Sequence, residues 1–249
     1  MPLTLLNWNV WLFNKDTETI ISFIAEQDAD VICLQEVSAP LLAELKRRTA
    51  YHIFTARDAY HRSNGDRTPS FLVILTRRRV VGADAVRFRK QKKRTLLARF
   101  LGIEEGLEFH YVDIVSTNGM CLRIFNVHLE CITSPRRRIL QFREVCRRLD
   151  SGANIVCGDL NVLRVWYGFF LRLILGSWEE LWEREHELFA RVFKENNFLN
   201  IFEGEVTHDF TGNQLDYILV PKETAIVSPH IFPDSRGSDH KPMLVTIGI

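Results

Sequence analysis

Asp30-Val31-Ile32-Cys33-Leu34-Gln35-Glu36 runs through four apolar residues without alternation and ends on an amide and a carboxylate. A strand with one wet face would alternate, so this one is expected to be buried on both faces, with its polar end at the rim of the core. Upstream, Leu3 to Val10 reads as a first strand, Asp16-Thr17 as a helix N-cap, and Ile20, Ile21, Phe23 and Ile24 as the apolar stripe of that helix. Downstream, Ala39 to Arg48 reads as a second amphipathic helix. The opening is therefore α/β in character.

From Tyr51 to Val127 the pattern changes to β-branched and aromatic segments: Tyr51–Thr55, Phe71–Thr76, Val80–Phe88, Thr95–Phe100, Phe109–Val115 and Cys121–Val127. Short turn signals such as Thr117-Asn118-Gly119 join several of them, which points to an antiparallel meander. Ser134 is placed to cap a helix from Pro135 to about Leu149, with proline at its first position. A buried strand, Asn154-Ile155-Val156-Cys157, leads into Gly158-Asp159-Leu160-Asn161. A helical region follows, clearest over Glu185–Asn196, and the strands Leu215–Val220, Ala225–Val227 and Pro242–Ile247 close the chain. No linker and no fixed-period repeat divides it, so residues 1–249 are expected to form one domain in which packed sheets are flanked by helices.

With 46% apolar and 25% charged residues in 249, the chain has the composition of a core-forming globular protein. Its 32 basic and 31 acidic residues give a net charge of +1, which offers no bulk argument for a nucleic-acid or membrane-surface partner. The halves differ: residues 1–150 carry 24 basic and 17 acidic side chains (+7), residues 151–249 carry 8 and 14 (−6). Five cysteines without a C-x-x-C pair suit neither a disulfide framework nor a zinc ribbon, and with no export signal at the N-terminus the expected location is cytoplasmic. The most apolar window, Val165–Leu171, stops at Arg172, too short to span a bilayer.

Chemistry-bearing groups gather at strand ends. They are Asn7-Trp8-Asn9, Gln35-Glu36, Asn126-Val127-His128, Gly158-Asp159-Leu160-Asn161, Leu215-Asp216 and Ser238-Asp239-His240. Rigid scaffolds present catalytic side chains from such positions, and oxygen ligands on several strands suit a hard cation such as Mg²⁺. Each segment alone reads equally as a cap, a turn or a satisfied strand-end histidine. Independent caps have no reason to occur together in this order.

The ordered set resembles the endonuclease/exonuclease/phosphatase superfamily from Asn7 to Val245, nearly the whole chain. The resemblance implies an α/β four-layer sandwich, two mainly antiparallel β-sheets packed face to face and flanked by helices, with the site at one end. It implies a phosphoester hydrolase using Mg²⁺, with Mn²⁺ as a substitute. Glu36 matches the carboxylate that binds the metal, and Asn9 and Asp239 match neighbours that hold its waters or share its coordination. Asp159 matches the residue that orients or deprotonates the attacking water, and Asn161 the amide that positions it. His240 matches a phosphate-bound imidazole, Asp216 its carboxylate partner, and His128 a second phosphate-facing histidine found in many branches.

Ser70 resembles the family's serine before a buried strand, although Phe71 replaces the usual glycine. One arginine of Arg136-Arg137-Arg138, taken as Arg137, is near enough to His128 in sequence to reach substrate phosphate, against the alternative that all three are solvated. The basic run Arg87–Arg94 reads as a solvated face or a polyanion patch, and Trp166–Trp178 as a core helix or a hydrophobic lip. His128-Leu129-Glu130 before an Arg-rich helix is similar to the tyrosyl-DNA phosphodiesterase branch. Trp11 stands where abasic-site endonucleases carry an aspartate. The expected substrate is a phosphate ester at DNA ends or a related nucleotide diester. The alternatives are an inositol phosphate or sphingomyelin-like headgroup, and a non-catalytic binding module; no protein partner is expected.

Overall fold

The computed structural model describes residues 2–63, 66–89, 104, 106–116, 119–163 and 184–248. In chain order the elements are β1 (Pro2–Asn9), α1 (Thr17–Gln27), β2 (Val31–Ser38), α2 (Ala39–Arg48), β3 (His52–Ser63), β4 (Asp66–Thr76), β5 (Val80–Arg87), β6 (Glu108–Val115), β7 (Cys121–His128), α3 (Pro135–Cys146), β8 (Ala153–Asp159), α4 (Glu185–Glu195), β9 (Phe198–Asn200), β10 (Asp216–Pro221), β11 (Ala225–Ile231) and β12 (Met243–Gly248). One six-stranded sheet has the order β11-β12-β1-β2-β4-β3, the other β5-β6-β7-β8-β10-β9. Each is antiparallel except for one central parallel pair, β1/β2 in the first and β7/β8 in the second.

Strand faces explain the layers. Leu3, Leu5, Val31, Cys33 and Ile74 of the first sheet meet Val112, Ile124, Ile155, Cys157 and Ile218 of the second in a common core. The opposite face of the first sheet packs Leu6, Trp8, Ile32 and Leu34 against Ile20, Phe23, Ile24, Leu41 and Leu45 of α1 and α2. The opposite face of the second packs Phe125, Val127 and Val156 against Phe142 and Val145 of α3 and Phe189, Val192 and Phe193 of α4. Because both faces of β2 are covered, its sequence shows no alternation. Helix entry follows the expected chemistry: Asp16, Ser38 and Ser134 each accept a first-turn N–H.

The single meander read from Tyr51 to Val127 is corrected. β3 and β4 belong to the first sheet and β5, β6 and β7 to the second, so the chain changes sheets between Thr76 and Val80. Alternation reports which face of a strand is apolar and says nothing of which sheet holds it. The expected strand Thr95–Phe100, the window Trp166–Trp178 and most of the basic run after Arg89 lie outside the described residues.

Two irregularities and one glycine set the geometry at the end of the sandwich. In β2 the register slips between Leu34 and Val37, and in β3 between Arg57 and Tyr60, both against β4 near Phe71 and Ser70. The extra residues include Glu36 and Asp58, which such bulges re-aim out of the pleat. Gly158 sits in β8 at φ 148°, and a Cβ there would lie 1.9 Å from the Val127 carbonyl oxygen. Only glycine permits that approach, which brings β7 and β8 together with His128 opposite Asp159.

A buried ion pair anchors the loops behind this end. Arg138 Nε and Nη2 donate to the two oxygens of Glu185 at 2.6 and 2.9 Å, and Nη1 donates to the carbonyls of Glu130, Cys131 and Thr133. Arg138 is 1% exposed, so the reading of three solvated arginines fails at this one. Removing one member strands the other charge, at a cost of about 3–5 kcal/mol. The expected outcome in urea unfolding is a loss of that size for Glu185→Ala, with much of it recovered in the double variant Glu185→Leu/Arg138→Met.

Candidate active site

The site lies at the carboxyl ends of the two central parallel pairs. Asn9 ends β1, Glu36 lies on the β2 bulge, His128 ends β7 and Asp159 ends β8. Asn9 is fully buried and commits both amide hydrogens: Nδ2 donates to Glu36 Oε1 and to Asp159 Oδ2, each at 3.1 Å. It therefore orients a carboxylate from each sheet. Its Oδ1 accepts the Trp11 N–H at 3.0 Å, and the next amide, Leu12 N–H, donates to Glu36 Oε2 at 3.1 Å. Glu36 and Trp11 both adopt left-handed backbone, at φ 56° and 60°, which side-chain-bearing residues rarely do. Strain of this kind persists where surrounding bonds over-determine it, as they do here.

Asp159 is the centre. It is 1% exposed, and its Oδ1 accepts the Asn161 backbone N–H at 2.8 Å. His128 Nε2 lies 3.8 Å and His240 Nε2 3.6 Å from its Oδ2. The other nitrogen of each ring is held by a buried carboxylate: His240 Nδ1 by Asp216 Oδ2 and His128 Nδ1 by Asp58 Oδ1, both at 2.8 Å. Burial opposes the charged form of both histidines, but the adjoining carboxylates win. His240 is pushed up to about 10 by Asp216 and Asp159, and His128 well above the ordinary range by Asp58 and Asp159. Burial also raises Asp159, to about 6, with His240 as the strongest opposing influence. The core of the site is a buried carboxylate faced by two imidazoliums.

Asn161 reaches Asp159 through its backbone. Its side-chain amide donates to the Leu129 carbonyl at 2.9 Å. Ser238 closes the site from below: its Oγ donates to the Asn9 carbonyl at 2.7 Å and accepts the His240 N–H at 3.0 Å. Asp239 is 43% exposed and lies 3.5 Å from His208 Nε2. Burial pushes its carboxyl up, but the hydrogen bond from His208 and the charge of His240 leave it below the usual range. The Thr211 N–H donates to His208 Nδ1 at 3.2 Å, so Nδ1 is the accepting nitrogen and Nε2 carries the hydrogen toward Asp239.

Two residues sequence reasoning missed are therefore Asp58 and His208. Asp58 is fully buried, and besides holding His128 its Oδ2 accepts the Glu36 N–H at 3.0 Å. It stands alone between Arg57 and Ala59 in a strand-like segment, and the bulge that turns it inward has no sequence mark. The other two expected residues were Arg137 and Ser70. Arg137, in the first turn of α3, pairs with Glu130 at 2.7 Å. Ser70 is fully buried in β4 beside the two bulges, its hydroxyl without a partner among the described residues.

Among the described residues, two groups bring three metal-type ligand atoms within 4.8 Å of one another: Asp159, Asp216 and His240, and His208, Asp239 and His240. Both rely on His240, whose imidazolium form carries hydrogen on both nitrogens and offers no lone pair. The second also relies on His208 Nε2, which carries hydrogen. The better fit for a cation is Glu36, half-buried, with both oxygens oriented by N–H donors and lone pairs to spare. Asn9, hydrogen-bonded to Glu36, adds an amide oxygen, and oxygen donors suit a hard divalent cation keeping several waters.

The fold recurs in solved structures. An endonuclease/exonuclease/phosphatase from Beutenbergia cavernae matches with a TM-score of 0.75 and 15% identity, over 100% of this chain and 72% of that one. An AP endonuclease from Leishmania major matches at 0.66 and 18%, over 100% and 88%. D. rerio TDP2 complexed with single strand DNA product matches at 0.63 and 16%, over 100% and 99%. No curated protein matches the sequence. The model of the Endonuclease/Exonuclease/phosphatase family matches residues 6–240, through every strand end described above, and the chain belongs to that family of metal-dependent phosphoester hydrolases.

Proposed function

We propose that the chain is a Mg²⁺-dependent phosphodiesterase, with Mn²⁺ able to replace Mg²⁺, that hydrolyses a diester at DNA ends or in a related nucleotide by in-line attack of water. The observation that carries this reading is Asp159 held between two Asp–His pairs. An imidazolium on each side of the base forms a cradle for a phosphate, and His128 and His240 donate Nε2–H to its non-bridging oxygens as charge builds there. Asp159, oriented by Asn9 and by the Asn161 N–H, takes the proton of the attacking water as the bond from water oxygen to phosphorus forms. The bond to the leaving oxygen breaks, and that oxygen takes a proton from solvent. Glu36 would hold the cation, with Asn9 and Asp239 engaging its waters. Mg²⁺ bound there would supply positive charge against the negative charge that develops on the phosphate. The likeness to structures named as an AP endonuclease and as TDP2 with single strand DNA supports DNA as the substrate class.

Asp159→Asn keeps the volume of the base and removes its function. With purified protein, Mg²⁺ and a panel of single-stranded DNA, 5′-phosphotyrosyl DNA, inositol polyphosphate and sphingomyelin, the wild type is expected to cleave a DNA substrate, and Asp159→Asn to lower kcat by about 10²–10⁴-fold with folding intact. Equal turnover by the variant contradicts the assignment of the base, and cleavage confined to inositol phosphate or sphingomyelin contradicts the substrate class.

The pH profile follows from the two shifted groups. Asp159 acts ionised, so kcat/KM rises with pH up to about 6 and then levels; His240 acts protonated, so kcat/KM falls again as pH passes about 10. Asp216→Asn removes the carboxylate that holds His240 protonated, and the alkaline limb is expected to move to lower pH. An unmoved alkaline limb contradicts the assignment of that limb to His240.

A further inference from the structure

Beside Glu36 the β1–α1 loop turns aromatic rings outward. Trp11 is 38% and Phe13 55% exposed; their ring centroids lie 5.9 Å apart, edge to face, and Phe13 meets the His61 ring in the same manner at 6.1 Å. His61 belongs to β3, and its imidazole lies in the fields of Glu36, Asp58 and His128, so this row of three rings borders the site itself. The loop is fixed to the chemistry through its backbone, Trp11 N–H to Asn9 Oδ1 and Leu12 N–H to Glu36 Oε2. Trp11 holds left-handed backbone at φ 60° while its side chain stays partly exposed. A loop that needed only this shape would carry glycine or asparagine at that position.

The direction of in-line attack says what these rings face. Asn9 Nδ2 lies between Asp159 Oδ2 and Glu36 Oε1, so the two carboxylates flank it on different sides. A water activated by Asp159 enters at one end of the phosphorus, and the leaving oxygen departs at the other, the Glu36 end. Whatever that oxygen carries comes out over the loop that holds Glu36.

We propose that Trp11, Phe13 and His61 seat the leaving group of the diester, and that this leaving group bears a flat ring such as a nucleobase. The assignment rests on the phosphodiesterase reading above. It sharpens that reading, because a nucleobase presents a face on which aromatic side chains stack, whereas an inositol or choline headgroup presents no flat ring.

The test compares esters that differ only in the leaving alcohol: a dithymidine phosphodiester and the methyl esters of its two halves. Alanine in place of a stacking ring costs about tenfold or more in binding a base. Trp11→Ala/Phe13→Ala, which keeps the Trp11 backbone N–H and a Cβ, is expected to lower the ratio of kcat/KM for the dinucleotide over that for the methyl ester by about tenfold or more. Trp11→Phe, which keeps a ring, is expected to preserve most of the ratio, and Phe13→Leu, which keeps apolar bulk without the ring, to lower it. A fall shared equally by both esters, or an unchanged ratio in the double variant and in Phe13→Leu, overturns the leaving-group seat while leaving the phosphodiesterase reading in place. A wild-type protein that hydrolyses neither ester overturns both.

Discussion

A carboxylate taken out of water is expensive, and the burial of Asp159 is the constraint on which the rest of this structure turns. Unpaired, the group would be protonated and useless as a base near neutral pH. Its oxygens instead receive the Asn9 amide from the first sheet and the Asn161 N–H from its own turn, and face the imidazoles of His128 and His240. Burial works against the charged form of those rings, and Asp58 and Asp216 oppose it. Three carboxylates and two imidazoles are thus held against one another.

Bringing these groups together is the work of the backbone. The contact between the sheets below the site is polar as well as apolar: Gln35 donates to Asn7 at 2.9 Å and to Asn126 at 2.7 Å, and Asn126 donates to the Leu34 and Val73 carbonyls. This fully buried network fixes how β1, β2, β4 and β7 meet, which sets where their ends emerge. Gly158 then lets β8 close on β7, and the paired bulges around β4 turn Glu36 and Asp58 inward. The Arg138–Glu185 pair holds the segment after His128, and Glu185 also accepts the Leu163 N–H beyond Asn161 at 3.4 Å.

Much of this was legible in the sequence because the site is built from strand ends. Asn9, Glu36, His128, Asp159 and Asp216 follow or begin apolar runs, His240 precedes the last strand, and the structure brings them to one end of the sandwich. Helix starts marked by Asp16 and Ser134 were equally plain, since capping is local chemistry. Asp58 was not, because its role depends on a register slip between β3 and β4 that leaves no composition signal. Neither was His208, which meets the site through an isolated bridge to His240 across a distance in sequence. The division of the strands between two sheets was hidden for the same reason: it is a matter of pairing, and pairing is long-range. The charge asymmetry of the two halves marks no boundary at the site, which takes Asn9, Glu36, Asp58 and His128 from the basic half and Asp159, Asp216, Asp239 and His240 from the acidic one.

The mutual support of Asp159 and the two histidines is measured most directly by a metal-free NMR titration of the His128 and His240 imidazole nitrogens in the wild-type protein and in Asp159→Asn. His240 is expected to remain imidazolium through pH 8 in the wild type and His128 to titrate well above the ordinary histidine value, and both to titrate at lower pH once the Asp159 charge is gone. Rings that titrate near the ordinary histidine value of about 6.5, unchanged by the substitution, would contradict the account.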